Sequence, residues 1–237
     1  MISREFPLTF LILALTVFGN AQERSLEAAK AEFTKADQGL NQIYTEAKST
    51  LPEWTFGDLQ QDQREWLEYR DLRAEQATAF DGGAAEGQEK NTPDYWETLA
   101  ALTRERTLII GGWIRHDRFA HEWEGVWIDG QGGHLSILQN EAGHFTFRLE
   151  VVRGPTYHLG QIGGTAKWNG ATAHFETRAE DDEGETWLTF LKRDLRLEII
   201  GENTSSFHGA RAYFEGHYVR VSELTEEDRK AILTPEE

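Results

Sequence analysis

The stretch TLIIGGWIRHDRFAHEWEGVWI, residues 107–128, decides the fold, because its two ends repeat with different periods. Up to Trp113 the apolar residues return every three or four positions, which places Leu102, Ile109, Ile110 and Trp113 along one face of a helix. From Trp123 onward apolar and polar residues alternate, the period of a half-buried strand. The charged run Arg115-His116-Asp117-Arg118 lies between the two regimes. A helical region therefore ends near residue 116, and a β region begins soon after.

Working upstream, the helical period persists back to Ser25. Ser25 caps a first helix with the stripe Ala29, Phe33, Ala36, Leu40, Ile43, Tyr44 and Ala47, which stops before Pro52. Asp58 is the candidate cap of a second helix that runs through Leu59, Trp66, Leu67 and Ala74 to Ala77. The segment DGGAAEGQEKN, residues 81–91, has no apolar period and reads as a connection. Thr92-Pro93 opens a third helix, with proline at the first position, where its missing N–H costs nothing. Its stripe is Tyr95, Trp96, Leu99, Leu102, Arg106, Ile109, Ile110 and Trp113. Three consecutive amphipathic helices predict an antiparallel bundle.

Downstream, WEGVWI (123–128), HLSIL (134–138), HFTFRLEVV (144–152), TAHFETR (172–178), TWLTFL (186–191), LRLEII (195–200) and AYFEGHYVRV (212–221) alternate and are split by glycine turns. GQIGGT (160–165) reads as such a turn, since it opens no helix that could cradle a phosphate. Seven to nine short strands suit a small antiparallel barrel or sandwich, because closure removes exposed edges. Phe145, Phe147, Phe175, Trp187, Phe190 and Phe214 are the expected inward set, bulky enough to fill a small barrel. A capped turn from Thr225 to Leu233 ends the chain. The expected class is α+β in two domains, 22–116 helical and 117–222 barrel-like, with a short C-terminal helix and tail over 223–237.

Residues 1–21 read as an address rather than as part of the fold. Arg4 precedes an apolar run from Phe6 to Phe18, and Gly19-Asn20-Ala21 supplies small residues for cleavage before Gln22. The run is shorter than the roughly 20 residues a bilayer requires. The expectation is an exported protein, periplasmic or secreted, with no span left after cleavage. The chain has no cysteine, so neither disulfides nor thiolate metal sites are available to it.

Charge narrows the partners. The net charge is −17, with 11 basic against 18 acidic residues over 22–116 and 12 against 22 over 117–237. Such a surface cannot replace the counterions around phosphates, which argues against nucleic acid, and it suits a cationic partner. No GxSxG elbow is present, and the eight histidines show neither HxH nor HExxH spacing. No enzyme, cofactor or metal site is expected. Asp181, Asp182, Glu183 and Glu185 read as a solvated hairpin tip rather than a glycosidase pair. The same acidic tip could steer to a cationic cleft, and residues 205–218 offer a second exposed loop with His208, Arg211 and Tyr213.

One residue resists the amphipathic pattern. In DQREWLEYRD (62–71) the face set by Leu59, Trp66 and Leu67 carries on to Gln63 and Arg70, an arginine aimed at a core. Such a residue needs oxygen partners for its donors, and Asp37 and Asn41, one turn apart on the first helix, are the expected pair.

Ala36-Asp37, Leu40-Asn41 and Tyr44, followed by Gln63-Arg64, Trp66 and Tyr69-Arg70-Asp71, then Tyr95-Trp96 and Leu102-Thr103, resemble the LprI-type lysozyme-inhibitor N-terminal domain. The likeness covers about 90 residues, the helical half only. Members often carry a cysteine shortly after the Arg-Asp pair, where this chain has Leu72-Arg73-Ala74. The resemblance implies an envelope protein that binds a macromolecule, with a cationic lysozyme-like muramidase as the target. Asp37, Asn41, Tyr44, Gln63, Arg64, Trp66, Arg70 and Asp71 then form a structural motif, and Asp181, Asp182, Glu183, Glu185, His208, Arg211 and Tyr213 are the candidate contacts. The alternative reading is an envelope module whose barrel holds a small ligand or metal, without inhibitory activity. No sequence feature sets the oligomeric state.

Overall fold

The computed structural model describes residues 25–79, 83–115, 123–140, 143–154, 157–178, 184–193 and 196–234. The expected leader and cleavage site, residues 1–22, lie outside them. Four α-helices occur among these residues: α1 (Leu26–Thr50), α2 (Glu53–Ala77), α3 (Pro93–Ile114) and, at the far end of the chain, α4 (Glu226–Leu233). Between α3 and α4 run eight strands: β1 (Gly125–Ile128), β2 (Gly133–Gln139), β3 (His144–Arg153), β4 (His158–Asn169), β5 (Thr172–Thr177), β6 (Thr186–Arg193), β7 (Arg196–Glu202) and β8 (Gly216–Ser222). They form a closed antiparallel barrel in sequence order, with β8 returning to β1. The fold is α+β.

The caps at Ser25 and Thr92 form as their sequence predicts: Ser25 Oγ accepts from Ala28 N, and Thr92 Oγ1 accepts from Tyr95 N. Thr225 closes a reciprocal capping box with Asp228. Asp58 does not cap α2. That helix starts at Glu53, directly after Pro52, and Asp58 lies within it. Proline cannot continue α1, yet its fixed φ suits the residue just before a helix, so the chain turns at once. Buried alanines 29, 36 and 47 let α1 approach α3 closely.

GQIGGT is not a turn. It lies inside β4, at twelve residues the longest strand described. The glycines make room there: a Cβ on Gly160 would stand 2.6 Å from the His208 Cβ, and one on Gly164 would stand 2.3 Å from the Phe175 ring. The barrel interior is packed with aromatic side chains, with Phe147 5.0 Å from both Phe175 and Phe190 between ring centroids. Trp187 is a correction to the inward set. It stands in the outward phase of β6 and is 38% exposed, whereas Phe145, Phe147, Phe175, Phe190 and Phe214 are buried.

Helices and barrel share a core. Ile109, Ile110 and Trp113 of α3 cluster with Ile128 of β1 and Val219 of β8. Gly112 permits this approach, since a Cβ there would stand 2.5 Å from the Arg220 carbonyl oxygen and 2.7 Å from Val219 Cγ1. α4 lies on the outside of β1 and β2, where Leu224 and Ile232 cover Val126 and Leu138, and Arg229 pairs with Glu124 at 2.6 Å. No described helix is long and apolar enough to cross a membrane.

The expected clasp between Arg70 and Asp37 or Asn41 does not form. Asn41 Nδ2 donates to Asp37 Oδ2 at 2.9 Å along α1. Arg70 pairs with its neighbour Asp71 at 2.8 Å and lies over the rings of Trp66 and Phe33. The arginine that enters the helical core is Arg106 of α3. Its Nε donates to Gln63 Oε1 at 2.7 Å, its Nη1 pairs with Asp62 at 2.8 Å, and its plane covers Trp66. Arg70 turns aside because its own chain neighbour and two aromatic faces satisfy it near the surface.

Candidate functional site

In a sequential antiparallel barrel, successive connections fall at alternate ends. Here that rule sets the two longest connections, 178–185 and 203–215, at the same end. The β2–β3, β4–β5 and β6–β7 connections fall at one end, and the β1–β2, β3–β4, β5–β6 and β7–β8 connections fall at the other. The three non-glycine residues described with left-handed φ, Tyr157, Asn203 and Arg211, all lie in connections of this second end.

A buried ion pair ties the loop end together. Arg153, the last residue of β3, follows the inward phase of Phe145, Phe147, Leu149 and Val151 and so points into the barrel mouth. Its Nη1 pairs with Asp129 and donates to the Gln131 carbonyl oxygen at 3.0 Å. Nε donates to the Tyr213 carbonyl oxygen at 3.0 Å, and Nη2 to the Tyr218 hydroxyl at 3.3 Å. Asp129 Oδ1 accepts from the backbone N–H groups of Gln131 and Gly133, both at 2.8 Å. The Tyr218 hydroxyl donates to the Phe214 carbonyl at 3.0 Å, and burial pushes its pKa up. Burial opposes the Arg153 charge, but the Asp129 carboxylate outweighs it and holds that pKa above its ordinary value.

Of the candidate contacts, Tyr213 touches this node. Tyr213 stacks on the Arg153 guanidinium at 4.3 Å and donates from its hydroxyl to Gln131 Oε1 at 3.1 Å. His208 packs edge-on to Phe214, its Nε2 3.1 Å from Thr204 Oγ1. Arg211 is exposed on its left-handed turn. Glu185 pairs with Arg178 at 3.1 Å, and its backbone carbonyl accepts from Asn203 Nδ2, which joins the 178–185 connection to the 203–215 one. Asp181, Asp182 and Glu183 lie outside the described residues. The family-motif residues Asp37, Asn41, Tyr44, Gln63, Arg64, Trp66, Arg70 and Asp71 lie on α1 and α2.

The helices nevertheless border the site through residues the sequence reading passed over. Tyr69 of α2 feels Glu105, Asp129 and Tyr213, and burial raises its pKa. Glu105 of α3 is partly buried near Asp129 and Arg153; burial, reinforced by the Asp129 charge, pushes its pKa up to about 7. A carboxyl that binds its proton more tightly when folded stabilises the fold at low pH, and that stability fades as pH rises from the unfolded value toward 7. Urea unfolding at pH 5 and pH 8 should therefore show a loss of about 2 kcal/mol at the higher pH that Glu105→Gln removes. An unchanged pH slope in the variant would show Glu105 to be fully hydrated.

Arg153 had a sequence signal, since extending the β3 alternation by one step places it inward. Glu105 had none, because its burial depends on how α3 meets the barrel. Against known proteins, the family model described as Lysozyme inhibitor LprI matches residues 19–108. That range takes in α1, α2 and α3 up to Leu108, and none of the barrel. It is the part in which the LNxxY and QRxWxxYRD motifs occur. Searches of curated proteins and of solved structures return no match.

Proposed function

Taking the likeness of residues 19–108 to the lysozyme-inhibitor family as its premise, we propose that this chain is an exported envelope protein that inhibits a cationic lysozyme-like muramidase. The inhibitor docks through the loop end of its barrel. The observation that carries this reading is the placement of the two longest connections, 178–185 and 203–215, at the barrel end held by the buried Asp129–Arg153 node. A node of this kind holds loops in one arrangement, so less ordering entropy is lost on binding. The net charge of −17 supplies long-range attraction for a basic enzyme, and Tyr213, braced by Arg153 and Gln131, supplies a rigid aromatic contact. The filled barrel favours this reading over a small apolar ligand held inside, because Phe145, Phe147, Phe175 and Phe190 occupy the space such a ligand would need.

A lysis assay on peptidoglycan, run with several lysozyme types at two salt concentrations, tests the proposal. Inhibition should weaken as salt rises, chiefly through a slower on-rate, since the attraction is screened over about 10 Å at 0.1 M salt. Neutralising Asp181, Asp182, Glu183 and Glu185 together should flatten that salt dependence. Tyr213→Ala should raise the inhibition constant at least tenfold, on the order of one anchoring aromatic. Absence of inhibition at micromolar protein, for every enzyme type, would overturn the proposal.

A further inference from the structure

The outward face of β5, β6 and β7 carries an arrangement that the docking loops do not use. Trp187 pairs across the sheet with Glu176 on one side and Glu202 on the other, so an exposed indole stands between two carboxylates in a single row. The next row is His174, Thr189 and Ile200, with Ile200 47% exposed and His174 Nδ1 3.2 Å from Thr189 Oγ1. A shallow open groove of about 290 Å³ runs over His174, Glu176, Trp187, Thr189 and Glu202. Neither Glu176 nor Glu202 has an ion pair or side-chain hydrogen bond among the described residues, although Arg178 and Arg193, both nearby in sequence, pair with Glu185 and Glu198. The nearest lysine across the strands, Lys167, stands opposite His174 rather than Glu176.

An exposed tryptophan on a strand usually packs against an apolar or β-branched neighbour. This one has an acid on each side, and directly opposed residues keep their Cβ atoms about 5 Å apart, near enough for both carboxylates to reach a group resting on the ring. An indole face attracts a cation, and two flanking carboxylates add charge of the sign a cation needs. Glu202 closes β7 next to Asn203, which holds Glu185, so the row adjoins the loop end.

We propose that Glu176, Trp187 and Glu202 form a clamp for one basic side chain, a lysine or arginine of the protein partner that docks at the loop end. The clamp rests on the reading that this partner is a cationic protein. It gives that partner a fixed point of attachment, whereas the surrounding charge gives only attraction at a distance. A glycan laid on the Trp187 face is the competing occupant. Two unpaired carboxylates around the ring favour the cation.

The test uses tetralysine amide as probe and the full chain labelled at its tryptophan indoles, with the Trp187 signal assigned as the one missing in Trp187→Phe. Tetralysine should shift the Trp187 indole saturably, and Glu176→Gln/Glu202→Gln should weaken that binding by about fivefold or more, the scale of an exposed cation–π contact with two carboxylates. These side chains are on the surface, so the variant should keep the wild-type denaturation midpoint. An equal shift in the double variant, a response confined to other indoles, or an equal response to a neutral chito-oligosaccharide would each overturn the clamp. The lysis assay separates the two claims. Tetralysine binding with no enzyme inhibited leaves the clamp standing and removes the inhibitor reading. Full inhibition by the double variant, with tetralysine unbound, does the reverse.

Discussion

Arg153→Ala should destabilise the protein by about 4 kcal/mol, within the range for removing one partner of a buried ion pair. The Arg153 and Asp129 side chains are only 2% and 5% exposed, so the surviving carboxylate would remain desolvated with two backbone N–H donors as its support. The carbonyls of Gln131 and Tyr213 and the hydroxyl of Tyr218 would each lose a donor as well. For a chain of this size the melting temperature should fall by roughly 10 °C. The double change Asp129→Asn with Arg153→Met should cost less than the sum of the two single changes, because no lone buried charge is left. Differential scanning calorimetry of the four proteins reads this directly. An Arg153→Ala protein within 1 kcal/mol of wild type, on the order of a surface pair, would mean that water reaches the node.

The second large effect belongs to the helices. Arg106→Ala should cost about 3 kcal/mol, since it orphans Gln63, uncovers Trp66 and leaves Asp62 without its partner. The cost stays below that at Arg153 because Asp62 is 40% exposed and water can replace part of the interaction. Burial already lowers the Arg106 pKa, as expected for a cation held by one half-exposed carboxylate. Arg70→Ala should cost less, about 2 kcal/mol, the sum of an ion pair whose carboxylate is 54% exposed and two ring contacts. Guanidinium denaturation separates the two variants. Equal midpoints would mean that Arg106 is no more committed to the core than Arg70.

The contrast between these arginines shows how far the sequence reaches. The amphipathic stripe pointed to Arg70 as the arginine that enters the helical core, although Arg106 lies on a stripe as well. Which of them enters depends on the neighbours each meets in three dimensions, and periodicity along one helix does not encode those. The change of period after Trp113 was legible because it is local to each segment. β4 was not, because its glycines look like turn residues until Phe175 and His208 are seen to occupy the space above them. The loop contacts were legible as loops, and their gathering at one barrel end follows from strand order. The tie through Arg153 needed only one more step along β3. Bulk alone suggests that Trp187 faces inward, whereas its phase with Leu188 and Phe190 points it outward.

The pairing of β8 with β1 has a consequence for how the protein comes into being. Ile128 finds its partner Val219 about 90 residues later, so the barrel cannot close on a growing chain until almost all of it has been made. Helices α1, α2 and α3 are complete long before then, yet Ile109, Ile110 and Trp113 of α3 still lack the strand that covers them. A nascent chain of this kind carries a sticky helical surface through most of its synthesis, and crowded neighbours can capture that surface before Val219 arrives. A C-terminal truncation that deletes β8 should therefore aggregate rather than yield a loose but soluble protein.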